Sequence, residues 1–179
     1  DPRSDRRVAV VHRPDAASYP PPAAAPYHPS RPYPEYRGPR GAIPNEAYDL
    51  VRQALLDLGL DAARAGTPEW NPLGDLVAPG GRIVVKPNWV LHRNEGAGGT
   101  DCLFSHAAVV RAVLDYALLA RPQSVVVGDA PVQVCDFQGV QDLGFASVAD
   151  HYRALRAPVT VKDFRRTVMQ RGERAALVS

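Results

Sequence analysis

The chain is poor in cysteine and in lysine, and it has no long apolar run. Two of its 179 residues are Cys, at positions 102 and 135. Two thiols are too few to staple a small secreted domain. An iron–sulfur cluster takes about four thiolates, so the chain cannot hold one alone. No apolar run approaches the roughly 20 residues that a membrane-spanning helix needs, and the first residues lack the pattern of a secretory signal. These absences predict a cytoplasmic protein with no membrane partner. The formal net charge is +2, too small a surplus to mark a nucleic-acid surface. Only Lys86 and Lys162 among the 21 basic residues are Lys. Both fall at the ends of strand-like runs, where a compact ammonium differs in kind from the guanidinium forks elsewhere.

What the chain does have is an ordinary apolar fraction of 45% and a concentration of proline. Positions 14–44 hold ten of the 18 prolines, interleaved with Tyr19, Tyr27, Tyr33 and Tyr36. Proline lacks an N–H and fixes φ, so this stretch cannot be helix or central strand and predicts an extended arm. Two uses suit such an arm. Its tyrosines can pack on the protein's own surface, which is the reading we favour, or Pro29-Ser30-Arg31-Pro32 can serve as a P-x-x-P ligand for an aromatic groove.

Periodicity supplies the rest. Arg7 to His12 reads as a first strand. Asn45 is a good N-cap for a helix from Glu46 to Leu58, where Ala47, Leu50, Val51, Ala54 and Leu55 recur at helical spacing and Gly59 can end it. A helical turn is expected near Leu73 to Val77. Pro79-Gly80-Gly81 is a turn before the buried strand Arg82 to Val85. Ser105 is the expected cap of a helix from His106 to Ala120, and the strand Ser124 to Val127 comes directly after it. Strand, loop, helix, strand is a βαβ unit, which predicts parallel strands. A helix from Val148 to Arg156 and a strand over 158–163 complete the pattern. The expected organisation is a first strand in 1–13, the arm in 14–44, an α/β core in 45–165 and a tail in 166–179 that opens a missing C-terminal half. The predicted fold class is α/β, a small and mostly parallel sheet flanked by helices.

The chemistry gathers at two strand ends. Lys86-Pro87-Asn88 follows the first apolar run, and Gly128-Asp129-Ala130-Pro131 follows the second. Open parallel sheets bind ligands at their carboxyl edge. Between these ends runs an unusually long loop, 87–104, rich in glycine (Gly96, Gly98, Gly99) and leading into a helix N-terminus that favours anions. Lys86 and Asp129 are the candidate catalytic pair, and they can also bridge adjacent strands. Asn88, Gly98, Gly99, Thr100, Ser105 and His106 are the candidate ligand-binding set, and the expected partner is an anionic small molecule. The loop is neither a P-loop nor a dinucleotide fingerprint. A second constellation joins His92, Cys102, His106 and Cys135 with Asp101 and Asp136. It offers a divalent metal bound through Asp129, Cys102 and Cys135, or a Cys102–Cys135 redox pair.

The Lys86-Pro87-Asn88 strand end, the Gly/Thr loop, the Ser105-His106 helix start and Gly128-Asp129-Ala130-Pro131 together resemble the bacterial and archaeal domain-of-unknown-function family three-six-two. Asn71-Pro72-Leu73-Gly74 fits the same pattern. The likeness covers about residues 45 to 165, corresponding to the N-terminal part of that family. Ala107 stands where a proline is usual, and the ferredoxin-like cysteine motifs that some members carry are absent. The resemblance implies no single activity. Three functions therefore remain as expectations: an anion-binding, metal-assisted enzyme domain, an interaction module built on the arm, or a metal- or thiol-dependent redox protein.

Overall fold

The computed structural model describes residues 6–14, 19–166, 170–171 and 174–175. Three strands, β1 (Arg82–Val85), β2 (Ser124–Asp129) and β3 (Val159–Asp163), form one parallel sheet in the order β1-β2-β3. β1 and β2 are joined by α2 (Ala107–Leu119). β2 and β3 are joined by α3 (Phe137–Val140) and α4 (Ala146–Ala154), with a kink between them where Leu143 and Gly144 leave the helical conformation. α1 (Glu46–Asp57) packs on α2 rather than on the sheet. The fold is therefore α/β with a small parallel sheet, as the βαβ pattern predicts. A short antiparallel pair, β4 (Gln170–Arg171) and β5 (Arg174–Ala175), lies in the tail, where no periodicity pointed to it.

The helix ends follow the capping chemistry with one change. Asn45 accepts the Tyr48 N–H and starts α1 as expected. At α2 the cap is His106, whose Nδ1 accepts the Ala108 N–H at 3.1 Å. Ser105, expected in that role, instead accepts the Asn88 N–H through its hydroxyl at 2.9 Å. Nothing in residue preference favours an imidazole here over a serine, so the exchange was invisible in the sequence. The expected first strand is also corrected. Residues 6–13 adopt no regular structure, and Val8 and Val10 are 83% and 84% exposed. An apolar run needs a partner strand before its backbone groups can be satisfied in a sheet, and among the described residues no strand pairs with this one.

Two buried clusters form the interior. The larger sets Val125, Val127, Ile83, Val85, Val159 and Val161 of the sheet against Ala107, Val110 and Leu114 of α2 and Val148 and Tyr152 of α4. The opposite sheet face bears Val84 in register with Val126 and Thr160, and Val84 is 65% exposed. The smaller cluster joins Tyr48, Trp70, Ala112 and Tyr116 and receives Tyr33 and Tyr36 from the arm.

The described part of the arm is tied down. Tyr33 donates to the Asp49 carboxylate, Arg31 lies 3.0 Å from it, and Asn45 Nδ2 donates to the Tyr27 carbonyl at 2.8 Å. Glu35 is only 5% exposed and accepts from Arg52 Nε at 2.7 Å and from the Tyr116 hydroxyl at 3.0 Å. The Arg111 guanidinium, buried on α2, donates to the Pro26 carbonyl at 3.2 Å and to Tyr152 at 2.9 Å, and pairs with Asp115 at 3.1 Å. The tyrosines thus pack on the protein's own surface. Pro29 is buried, so the P-x-x-P segment does not present both prolines outward.

Candidate functional site

The residue after β1, the last residue of β2 and the turns beyond them build the carboxyl edge of the sheet. After β1, Lys86 extends toward the end of β2, and its Nζ lies 2.8 Å from Asp129 Oδ1. The Lys86 side chain is 64% exposed and that of Asp129 only 8%. The same carboxylate accepts the Ala130 N–H at 2.8 Å through Oδ1 and the Trp89 N–H at 2.9 Å through Oδ2. Burial alone would raise the Asp129 pKa, but the Lys86 ammonium and the two N–H donors outweigh it and hold the carboxyl below its usual range. Gly128 is required beside it. A Cβ there would fall 2.5 Å from the Lys162 carbonyl and from the Phe164 ring, both belonging to the neighbouring strand end.

The long loop after Lys86 is a paired base with an exposed tip. Trp89 bridges Phe104, the Val90 N–H donates to the Leu103 carbonyl at 3.0 Å, and the Ser105 N–H donates to the Asn88 carbonyl at 2.8 Å. The Trp89 ring is buried against Phe104, Phe137 and Phe145, with the nearest ring, that of Phe145, centred 4.8 Å away. At the tip Asn94 organises the glycines. Its Oδ1 accepts the Gly96 N–H at 2.9 Å and its Nδ2 donates to the Gly99 carbonyl at 3.0 Å. Gly98 and Gly99 are exposed there.

A cavity of about 210 Å³ opens where this loop meets the start of α2, lined in part by Tyr19, Thr100, Asp101, Phe104, His106 and Leu143. Tyr19 of the arm stacks on His106 with ring centroids 4.4 Å apart and planes 2° from parallel. Burial lowers the His106 pKa, against the opposing pull of Asp101. Because Nδ1 accepts the Ala108 N–H, the neutral ring carries its proton on Nε2 and can donate one hydrogen bond. Asn88 and Ser105, mutually hydrogen-bonded, connect this cavity with the Lys86 strand end.

The structure thus brings Lys86 together with Asp129 and links Asn88, Ser105 and His106 through backbone bonds, with Thr100 in the adjacent cavity wall. The cysteine constellation forms no metal-ligand cluster among the described residues. Cys102 is exposed, Cys135 is buried, and both thiols are free. His92 Nδ1 accepts the Asp136 N–H at 3.0 Å. Among the described residues no group of three or more His, Cys, Asp or Glu side chains is arranged to hold a metal ion.

Two contributors were not singled out from the sequence. Tyr19 is one. The other is Arg165, which forks onto Asp163 at 2.7 Å and donates to the carbonyls of Val132 at 3.0 Å and Cys135 at 2.9 Å. It thereby clips the loop after β2 to the end of β3. A basic residue two positions beyond a strand-ending Asp was the available signal, but nothing local marks its distant carbonyl acceptors.

No family model, curated protein or solved structure matches the chain.

Proposed function

We propose that the carboxyl edge of the sheet binds a small molecule bearing a phosphate or carboxylate group, with Lys86 as its cation and Asp129 as the group that aims that cation. The observation that carries this reading is the asymmetry of the ion pair. The carboxylate is buried and holds three partners, whereas the ammonium, 2.8 Å away, is mostly open to solvent. An ammonium has three donors, and its bond to Asp129 leaves the remainder for a ligand. The His106 Nε2–H, the Thr100 hydroxyl and the Asn88 amide are the further donors, and Tyr19 offers a planar wall. This arrangement extends the K-P-N and G-D-x-P motifs by which the chain resembles the domain-of-unknown-function family three-six-two.

Asp129 suits positioning better than proton abstraction. Its oxygens are engaged and its pKa is held down, whereas a general base works best with a pKa near the operating pH. Binding is therefore the activity proposed, with the chemistry of any later step left to the ligand. The alternative of a recruiting arm has less support, because the arm's polar and aromatic groups are spent on α1 and α2.

Isothermal calorimetry with inorganic phosphate tests the proposal. Losing one charge-assisted contact is worth about 1.5–3 kcal/mol, so Lys86→Met should weaken binding at this site at least about tenfold. An isotherm identical to that of the parent chain would refute it.

A further inference from the structure

The opposite, amino edge of the sheet holds a second cationic feature that the carboxyl-edge site does not use. A cavity of about 710 Å³ is lined by Arg37, Arg64 and Arg121, with Glu69, Trp70 and the last turn of α2 completing its wall. The three arginines come from three separate segments: the arm, the 3₁₀ turn after α1, and the turn between α2 and β2. Arg37 and Arg121 have no ion-pair partner among the described residues.

The backbone is specialised to place these groups. Arg121 has φ 54°, the left-handed conformation that usually falls to glycine just past a helix end. Its position is fixed on both sides, since its N–H donates to the Leu118 carbonyl at 3.0 Å and its carbonyl accepts the Gly80 N–H at 2.9 Å. Asp61 is left-handed too, with φ 49°. Its carboxylate, whose side chain is 6% exposed, accepts from Arg64 Nε at 2.9 Å and from the Asn71 N–H at 2.8 Å. One nearly buried acid thus sets both an arginine and the adjoining wall. Against the three arginines stand Glu69 in the wall, Asp61 paired with Arg64, and the carbonyl end of α2 with about half a unit of negative charge, so the lining keeps a smaller net positive charge. Guanidinium forks match the oxygen geometry of phosphate, and the volume is that of a small-molecule site rather than a single-ion cleft.

We infer that this cavity is a second binding site, selective for a phosphate-bearing small molecule held by Arg37, Arg64 and Arg121. It stands independently of the carboxyl-edge site. Arg121 occupies a left-handed position where glycine would be unstrained, and ligand binding accounts for an arginine there.

The test is calorimetry with inorganic pyrophosphate in a Lys86→Met background, which removes the carboxyl-edge cation. Pyrophosphate should still bind there. Adding Arg121→Gly should weaken that binding at least about tenfold while raising the melting temperature, because glycine accepts the left-handed backbone without strain. Arg37→Gln in the same background should weaken binding without lowering the melting temperature. Undiminished binding in both arginine variants, or no pyrophosphate binding in the Lys86→Met chain, would overturn the inference.

Discussion

At the scale of single residues, Lys86 and Asp129 share one ion pair but play unequal parts. Removing Asp129 leaves the Trp89 N–H unpaired in a buried setting, which costs about 1–3 kcal/mol, and takes the acceptor from the part-buried Ala130 N–H as well. Removing Lys86 deletes an exposed group from a pair whose other member keeps two backbone donors. Chemical denaturation should therefore place Asp129→Ala about 2 kcal/mol or more below the parent chain and Lys86→Met within about 1 kcal/mol of it. Equal losses would mean that Lys86 is chiefly structural. This pairing was legible in the sequence because both residues follow apolar runs that had to be neighbouring parallel strands. The stacking of Tyr19 on His106 was not, since 87 positions separate the two and no local pattern encodes the contact.

At the scale of elements, helices and strands were readable wherever one face had to be buried. α1, α2 and all three sheet strands lie where apolar spacing and capping residues put them. The structure departs from the sequence pattern where a segment needs a partner the sequence does not name. Residues 7–12 have strand composition but pair with no described strand, and the bend between α3 and α4 turns on Gly144. At φ 99° that glycine lies against the Tyr27 hydroxyl of the arm, 2.3 Å from where its Cβ would be. The sheet itself makes a measurable contrast between its faces. Val125 is wholly buried and Val84 is 65% exposed. Val125→Ala should cost about 1–3 kcal/mol of unfolding free energy, whereas Val84→Thr should change it by less than about 0.5 kcal/mol. A large loss at Val84 would show that its face is covered after all.

At the scale of the whole molecule, the described residues cover the sheet on one face with α2 and α4, while α1 and the arm add a further layer on the helical side. Parallel sheets are ordinarily covered on both faces, so the stability of this one rests on that helical side. There the polar interior is tuned to neutral histidines. Burial and the Arg111 charge lower the pKa of His28. The same two causes, with His28 itself, lower that of His151 to about 4, and His106 is lowered by burial. A histidine whose folded pKa is depressed contributes stability above its unfolded value, near 6.5, and loses that contribution as pH falls toward the folded value. Asp129, also depressed, acts in the same direction at lower pH. Burial raises Asp115 despite Arg111 and its tyrosine donors, and Asp115 acts oppositely. With three histidines on one side, the melting temperature should fall between about pH 7 and pH 5, and His151→Gln should flatten the slope. A melting temperature that rises on acidification would contradict the neutral state of these half-buried histidines.

The role of Lys86 as the cation of an anion site at the carboxyl edge has a direct readout because the chain carries only two lysines, Lys86 and Lys162. Nitrogen-15 NMR of the lysine side-chain Nζ signals during titration with inorganic phosphate reports each one separately. The Lys86 signal should shift saturably while that of Lys162 stays near its starting position. A Lys86 signal that does not move, or that drifts without saturating in parallel with Lys162, would remove Lys86 from the anion site.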